Sequence, residues 1–373
     1  MMSLKPLNGI RVLDFTAMPP GGFCTVTLAD LGAEVIRVES PAQKGKTSLV
    51  IGQVALSRGK RSLTLDLRRP ESNNILERLT RTVDVVVENA KPGAMETRGF
   101  GYAQARAANK RIIWCAITGF GQNGPYADRG GHDVSYLAHS GLLRALSPDP
   151  LWQPGISLSL QAGALASVIG IQAALLERTC TSEGAFLDIS LAEAAGWYLT
   201  CGVNPLSEHP FSIPSTPDRR LYRCSDDRYV AVASSEPRTW EALCQALGAP
   251  ELEAALHKAD EAAPTAHKLE DLFRTRPAAD WVEHLATQGA TVTLVNHGRQ
   301  VVDDPHVRAR QAIADVGGTS VPANPIRVQA ADGRSTNTAI GIPPQVGTDT
   351  LDILRAAGFS TEELERFEKS GLI

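Results

Sequence analysis

The stretch GIRVLDFTAMPPGGFCTVTLADLGAEVIRVE, residues 9–39, decides the fold class. Gly9 to Phe15 carries Ile10, Val12, Leu13 and Phe15 and reads as a buried strand. Pro19-Pro20-Gly21-Gly22 then opens a helix that runs to Gly32. Proline is tolerated in a first helical turn, where its missing N–H would have had no intrahelical partner. Val35 to Glu39 is the next strand, broken by Ser40-Pro41. The same rhythm continues outward: a strand at Ser62–Leu67, a helix at Glu71–Arg81, a strand at Asp84–Glu88 with three consecutive valines, and another at Ile112–Ile117. Unbroken β-branched runs separated by helices specify a parallel sheet covered on both faces. The expected fold is therefore α/β, with a Rossmann-like large domain.

The glycines of the first turn do not carry a dinucleotide. Met18-Pro-Pro-Gly-Gly-Phe23 is not a GxGxxG turn, and its prolines remove amides that a phosphate cradle would use. That argues against a dinucleotide dehydrogenase, and the turn reads as well as a plain helix start as it does as a ligand loop. From Ser135 to Thr200 helices dominate, with a strand at Ala185–Leu191. Asn204 to Asp218 contains four prolines and reads as a linker. A hairpin comes next, Leu221–Cys224 and Tyr229–Ala233 around the polar turn Ser225–Arg228, then helices at Arg238–Leu247, Lys268–Thr275 and Ala278–Gln288. This describes a smaller α+β domain over residues 201–319. Ala323–Arg327 starts a return, so that residues 1–200 and 320–373 together make the large domain. Two helices close the chain, Thr350–Ala357 stopped by Gly358 and Thr361–Lys369 capped by Ser360 with Glu363 three residues on.

Composition sets outer limits. A chain of 373 residues is long enough for two domains and a cleft. Its net charge of −4 argues against a nucleic-acid surface, which needs a basic face. No apolar run is expected to reach the ~20 residues of a membrane span, and the start lacks the basic-then-apolar pattern of a signal peptide. A cytoplasmic enzyme without membrane or nucleic-acid partners is the expectation. The six cysteines form no CxxC pair and no zinc-type cluster with histidine, so reduced, mostly buried thiols are expected, with no disulfide and no metal.

Chemistry is concentrated after the fifth apolar run. Gly119-Phe-Gly-Gln-Asn-Gly-Pro125 leaves a predicted strand at the edge where open α/β sheets bind ligands. Gly130-Gly131-His132-Asp133 comes a few residues later. A histidine flanked by glycines is approachable and titrates near neutrality, which suits a general base; packing or helix capping is the other reading. Asp133 is not its automatic partner, because neighbouring helical residues point to different faces. Arg37, Arg58, Lys60, Arg61 and Lys91 punctuate the first domain. They serve either a solvated surface or, if they converge, the phosphates of a large anion.

These motifs resemble the class III CoA-transferase superfamily, of the CaiB/BaiF type, and within it the α-methylacyl-CoA racemase branch. The matching segments are Leu7–Asp14, Leu28–Arg37, Arg58–Leu67, Thr118–Pro125, Gly131–Tyr136, Ala173–Arg178, Leu221–Arg223, Ser235–Pro237, Asp304–Val307 and the closing helices. The resemblance implies a CoA thioester as substrate, no cofactor besides the CoA it carries, and an interlocked homodimer. It implies that Arg37, Lys91 and Tyr136 contact CoA and that the Arg58, Lys60 and Arg61 stretch holds the adenosine phosphates. It makes His132 the base that works α to the thioester and Glu236 its support from the small domain; in a racemase reading of this chain, Asp133 or water serves the other face. In one respect the chain departs from the family. Where racemases and transferases carry an aspartate, Ile156-Ser-Leu-Ser-Leu-Gln-Ala-Gly163 has no carboxylate. An anhydride-forming transferase therefore loses its nucleophile. The readings are, in order, a racemase, a single-base isomerase or lyase on the same fold, a non-catalytic acyl-CoA binder, and a CoA transferase that lacks the usual aspartate. The acyl group has no readable code in residues 142–155 and 201–220.

Overall fold

The computed structural model describes residues 4–146, 151–202, 216–333, 335–336 and 341–373. Among them, six parallel strands form one sheet: β1 (Arg11–Asp14), β2 (Glu34–Glu39), β3 (Arg61–Thr64), β4 (Val85–Glu88), β5 (Ile113–Thr118) and β6 (Ala185–Ser190). Their order is β3-β2-β1-β4-β5-β6. The topology reverses between β1 and β4, which opens a crevice outside the carboxyl ends of those two strands. Along the chain run helices α1 (Pro19–Asp30), α2 (Ser72–Thr80), α3 (Tyr102–Ala108), α4 (Asp133–His139), α5 (Leu158–Thr181) and α6 (Leu191–Trp197). Further on lie α7 (Pro237–Ala246), α8 (Ala262–Phe273), α9 (Ala278–Thr287), α10 (Thr350–Ala356) and α11 (Thr361–Lys369).

The parallel sheet results from side-chain alternation. Successive strand residues face opposite sides, so Leu13, Ile36, Leu63, Val86 and Trp114 share one face with α2, α10 and α11. Val12, Val35, Val85, Val87, Ile113 and Cys115 share the other with α1 and α5. Both faces are dry, which is why the valines of β4 run unbroken instead of alternating with polar residues.

The carboxyl end of the chain completes this unit. The Asp349 carboxylate accepts the Ser62 N–H at 2.9 Å and Arg61 Nε at 3.3 Å, and Thr350 Oγ1 accepts the Thr64 N–H at 3.0 Å. The predicted cap of α11 is present: Ser360 Oγ accepts from Glu363 N at 3.2 Å, and Glu363 returns a bond to Ser360 N at 2.8 Å.

The chain packs as two compact units, residues 1–211 with 306–373, and residues 212–305. The second is narrower than the 201–319 expected at both ends, since residues 201–211 and 306–319 group with the first. In the second unit β7 (Arg219–Arg223), β8 (Tyr229–Ala233) and β9 (Val292–Leu294) form an antiparallel sheet. Tyr222 stacks on Phe273 at 4.9 Å, and Phe273 meets Trp281 edge-on at 5.5 Å. Helix α8 begins six residues before the predicted Lys268. A hairpin at β10 (Ile313–Val316) and β11 (Thr319–Pro322), not anticipated from the sequence, belongs to the first unit. The proline-rich stretch read as a linker lies outside the described residues as far as 215.

Helix α5 corrects one expectation. Its 24 residues are long and apolar enough, by length and composition, to cross a membrane. It packs on the sheet through Ala164, Val168 and Ile171 and leaves Leu165, Ile169 and Leu176 exposed.

Candidate active site

The site is built at the carboxyl ends of β1, β4 and β5. Below the β1–β4 crevice lies a buried polar knot. Asp14, the last residue of β1, accepts Lys60 Nζ at 3.0 Å and Thr25 Oγ1 at 2.7 Å through Oδ2. Its Oδ1 accepts the Thr16 N–H at 2.8 Å and hydroxyl at 2.6 Å. Burial alone would raise the Asp14 carboxyl, but the Lys60 ammonium and the two hydroxyls outweigh it and hold it below the ordinary carboxylate range. Both side chains of the ion pair are fully buried. Lys60 is thus committed to the core, where a phosphate does not reach it.

The other cations proposed for phosphate are largely engaged as well. Arg58 is buried and bonds Asp30 at 2.7 Å. Arg61 pairs with Glu34 and Asp349. Arg37 is buried against Glu39 at 3.2 Å, with further bonds to Ser48 Oγ and the Leu49 carbonyl, although its Nε has no partner. Lys91 differs from these. It is exposed on the loop that leaves β4, beside the switch point, and among the described residues no ion pair claims it.

Glu88, at the end of β4, was not singled out from sequence. Burial pushes its carboxyl up to about 7, while the Ala90 N–H, bonded at 2.6 Å, pulls the other way. The available signal was a carboxylate closing an all-valine strand.

Beyond β5 the chain makes the glycine loop, tied to β6 by the Gln122 N–H, which donates to Asp188 at 3.1 Å. Tyr136 is the wedge that shapes the path from this loop into α4. It is buried between two glycines: a Cβ on Gly119 would come within 2.6 Å of its ring, and one on Gly131 within 2.8 Å. Its hydroxyl donates to the Gly131 carbonyl at 2.8 Å, and Phe120 meets its ring edge-on at 5.2 Å. Burial raises the phenol above its ordinary value. Tyr136, expected at CoA, is therefore engaged in setting the backbone immediately before His132.

His132 is the residue before α4, in extended backbone with φ −125°. Its N–H donates to Ser135 Oγ at 3.4 Å, its side chain is exposed, and among the described residues nothing hydrogen-bonds the ring. Asp133, one residue on, turns elsewhere. Its Oδ1 accepts the Ser159 N–H at 2.8 Å and also the Ser159 hydroxyl, across the first turn of α5. His132, Asp133, Tyr136 and Ser159 are thus brought together. Glu236 lies in the second unit, exposed at the start of α7, with Thr239 Oγ1 donating to it at 3.1 Å. All six cysteines are free. Cys24, Cys115, Cys224 and Cys244 are buried, with Cys115 pushed up to about 12 by that burial, while Cys180 and Cys201 are exposed.

A family model for CoA-transferase family III matches residues 7–350. The chain belongs to CoA-transferase family III. Alpha-methylacyl-CoA racemase of Homo sapiens is 30% identical over 390 residues, covering 98% of this chain and 97% of that protein. Acetyl-CoA:oxalate CoA-transferase of Acetobacter aceti is 29% identical over 355 residues, covering 88% and 90%. Among solved structures, a CAIB/BAIF family protein from Brucella suis superposes with a TM-score of 0.80 at 28% identity, over 95% of this chain and 100% of that one. Family III thus brings to this fold relatives named as racemases and relatives named as transferases. The parallel six-stranded sheet is shared with the CaiB/BaiF structure.

Proposed function

We propose that this chain is an acyl-CoA enzyme of the α-methylacyl-CoA racemase type, with His132 moving a proton at the carbon α to the thioester. The observation that carries the reading is the exposed His132 ring without a hydrogen-bond partner, on a loop whose entry Tyr136 fixes. A base needs an open nitrogen on a preorganised support, and this one has both. The transferase reading is weaker, because anhydride formation needs a carboxylate nucleophile and residues 156–163 offer none.

In this reading Lys91 meets a phosphate of CoA from the crevice, with Arg37 beneath the same edge of the sheet. Glu236 supports the base, and no metal or cofactor takes part besides the CoA of the substrate. The enzyme is cytoplasmic. A second copy of the chain covers the exposed stripe Leu165, Ile169 and Leu176 on α5, where an apolar helix face calls for a partner. Sedimentation at micromolar concentration is expected to give a homodimer, and a monomer there removes that part of the reading.

The deciding experiment is deuterium uptake at the α-carbon of a 2-methylacyl-CoA in D2O, with chirality read on the same sample. Exchange with inversion is expected. Exchange with complete retention turns the reading toward a single-base isomerase or lyase. Bound CoA thioester without exchange overturns proton transfer altogether.

A further inference from the structure

Removing a proton from one face of the α-carbon and returning it to the same face leaves the configuration unchanged. Inversion therefore needs a second group able to deliver a proton to the opposite face. At the start of α4 two consecutive side chains, on Cα atoms about 3.8 Å apart, are treated in opposite ways. The His132 ring is exposed and unbonded among the described residues, whereas Asp133 is turned onto α5 and held there. Both bonds fall on Oδ1, and among the described residues Oδ2 accepts none. Asp133 is half-buried, and the serine that holds it is fully buried. A carboxylate clamped through one oxygen, with the other free, has a defined rotamer and an available proton site.

From this geometry, and resting on the proton-transfer reading above, we infer that Asp133 is the second acid/base and that Ser159 is its positioning residue. In one direction a His132 nitrogen takes the α-proton, and the C–H electron pair moves into the enolate as the thioester C=O opens. Protonated Asp133 then gives its proton through Oδ2 to the opposite face of the α-carbon, and the enolate electrons form the new C–H bond. His132 is left protonated and Asp133 ionised. The other enantiomer runs the same steps backwards, so the proton balance closes without any co-reactant. The Ser159 hydroxyl moves no proton to substrate; it keeps Oδ1 occupied and Oδ2 pointed outward.

The test measures exchange and inversion separately on one 2-methylacyl-CoA, with melting temperature as a check on folding. With the enantiomer whose α-hydrogen faces His132 as substrate, Asp133→Asn is expected to lower inversion by at least about 100-fold, the usual worth of a positioned acid or base, while His132 still exchanges that hydrogen; exchange of the opposite enantiomer, which starts at Asp133, falls with inversion. On the first enantiomer Ser159→Ala is expected to slow inversion about tenfold, the scale of one lost hydrogen bond to a charged group, again sparing exchange. A purely structural role for Ser159 lowers both rates together, and that outcome overturns the assignment. Wild-type inversion in Asp133→Asn overturns it too. Retention by the wild-type enzyme overturns this inference while leaving His132 as base; absence of exchange in the wild type overturns the proton-transfer reading and this inference with it.

Discussion

Lys60→Met is expected to lower stability by about 3–5 kcal/mol, the cost of stranding a buried carboxylate, and the melting temperature by on the order of 10 °C. Asp14 has no route to water: its side chain is fully buried, and the ammonium of Lys60 is the only cation bonded to it among the described residues. Thr16 and Thr25 would remain as hydrogen-bond donors but carry no charge. Because the cost belongs to the stranded carboxylate rather than to the lost lysine, Lys60→Met with Asp14→Asn should recover most of it. Replacing both members of a buried pair by neutral groups is often close to neutral. Denaturant melts of the single and double variants decide the point. A single variant as stable as wild type means that Lys60 is not the structural cation described, and reopens it as a phosphate ligand.

That pair also marks where the sequence stops being informative. The strands could be read because each buries both faces, so that Val85–Val87 and Ile113–Ile117 appear as unbroken apolar runs. β9, with three residues, and the β10–β11 hairpin, half exposed, carry too little pattern to separate from loop. The family motifs located His132 and the basic residues, but a charge seen in sequence has no partner. Arg58, Lys60 and Arg61 look alike as a basic run. In the fold they meet Asp30, Asp14, and Glu34 with Asp349, the last arriving from 288 residues away. The clamp on Asp133 was hidden for the same reason. Its partner is 26 residues on, in a segment remarked on only for the carboxylate it lacks. The glycines at 119 and 131 were legible as a loop, whereas their physical cause, a tyrosine ring wedged between them, needed three dimensions.

His132→Ala is expected to lower α-proton exchange by about 10²–10⁴-fold, the range found for a positioned general base. The effect should fall on turnover and not on binding. The ring makes no hydrogen bond to any described residue, so truncating it strands no buried partner and leaves α4 its backbone bonds, in which the carbonyl of residue 132 accepts the Ser135 N–H at 2.8 Å. Tyr136 still holds Gly131, and Lys91 on its own loop is untouched. CoA affinity, measured by titration calorimetry, should therefore match the wild type, while exchange followed by NMR in D2O collapses. On the enantiomer whose α-hydrogen faces His132, exchange and inversion must fall together, because His132 starts both. Loss of inversion alone is the signature assigned to Asp133. If exchange survives His132→Ala at wild-type rate, the base lies elsewhere, and Glu88, raised by burial to about 7 at the end of β4 beside the crevice, becomes the first group to test.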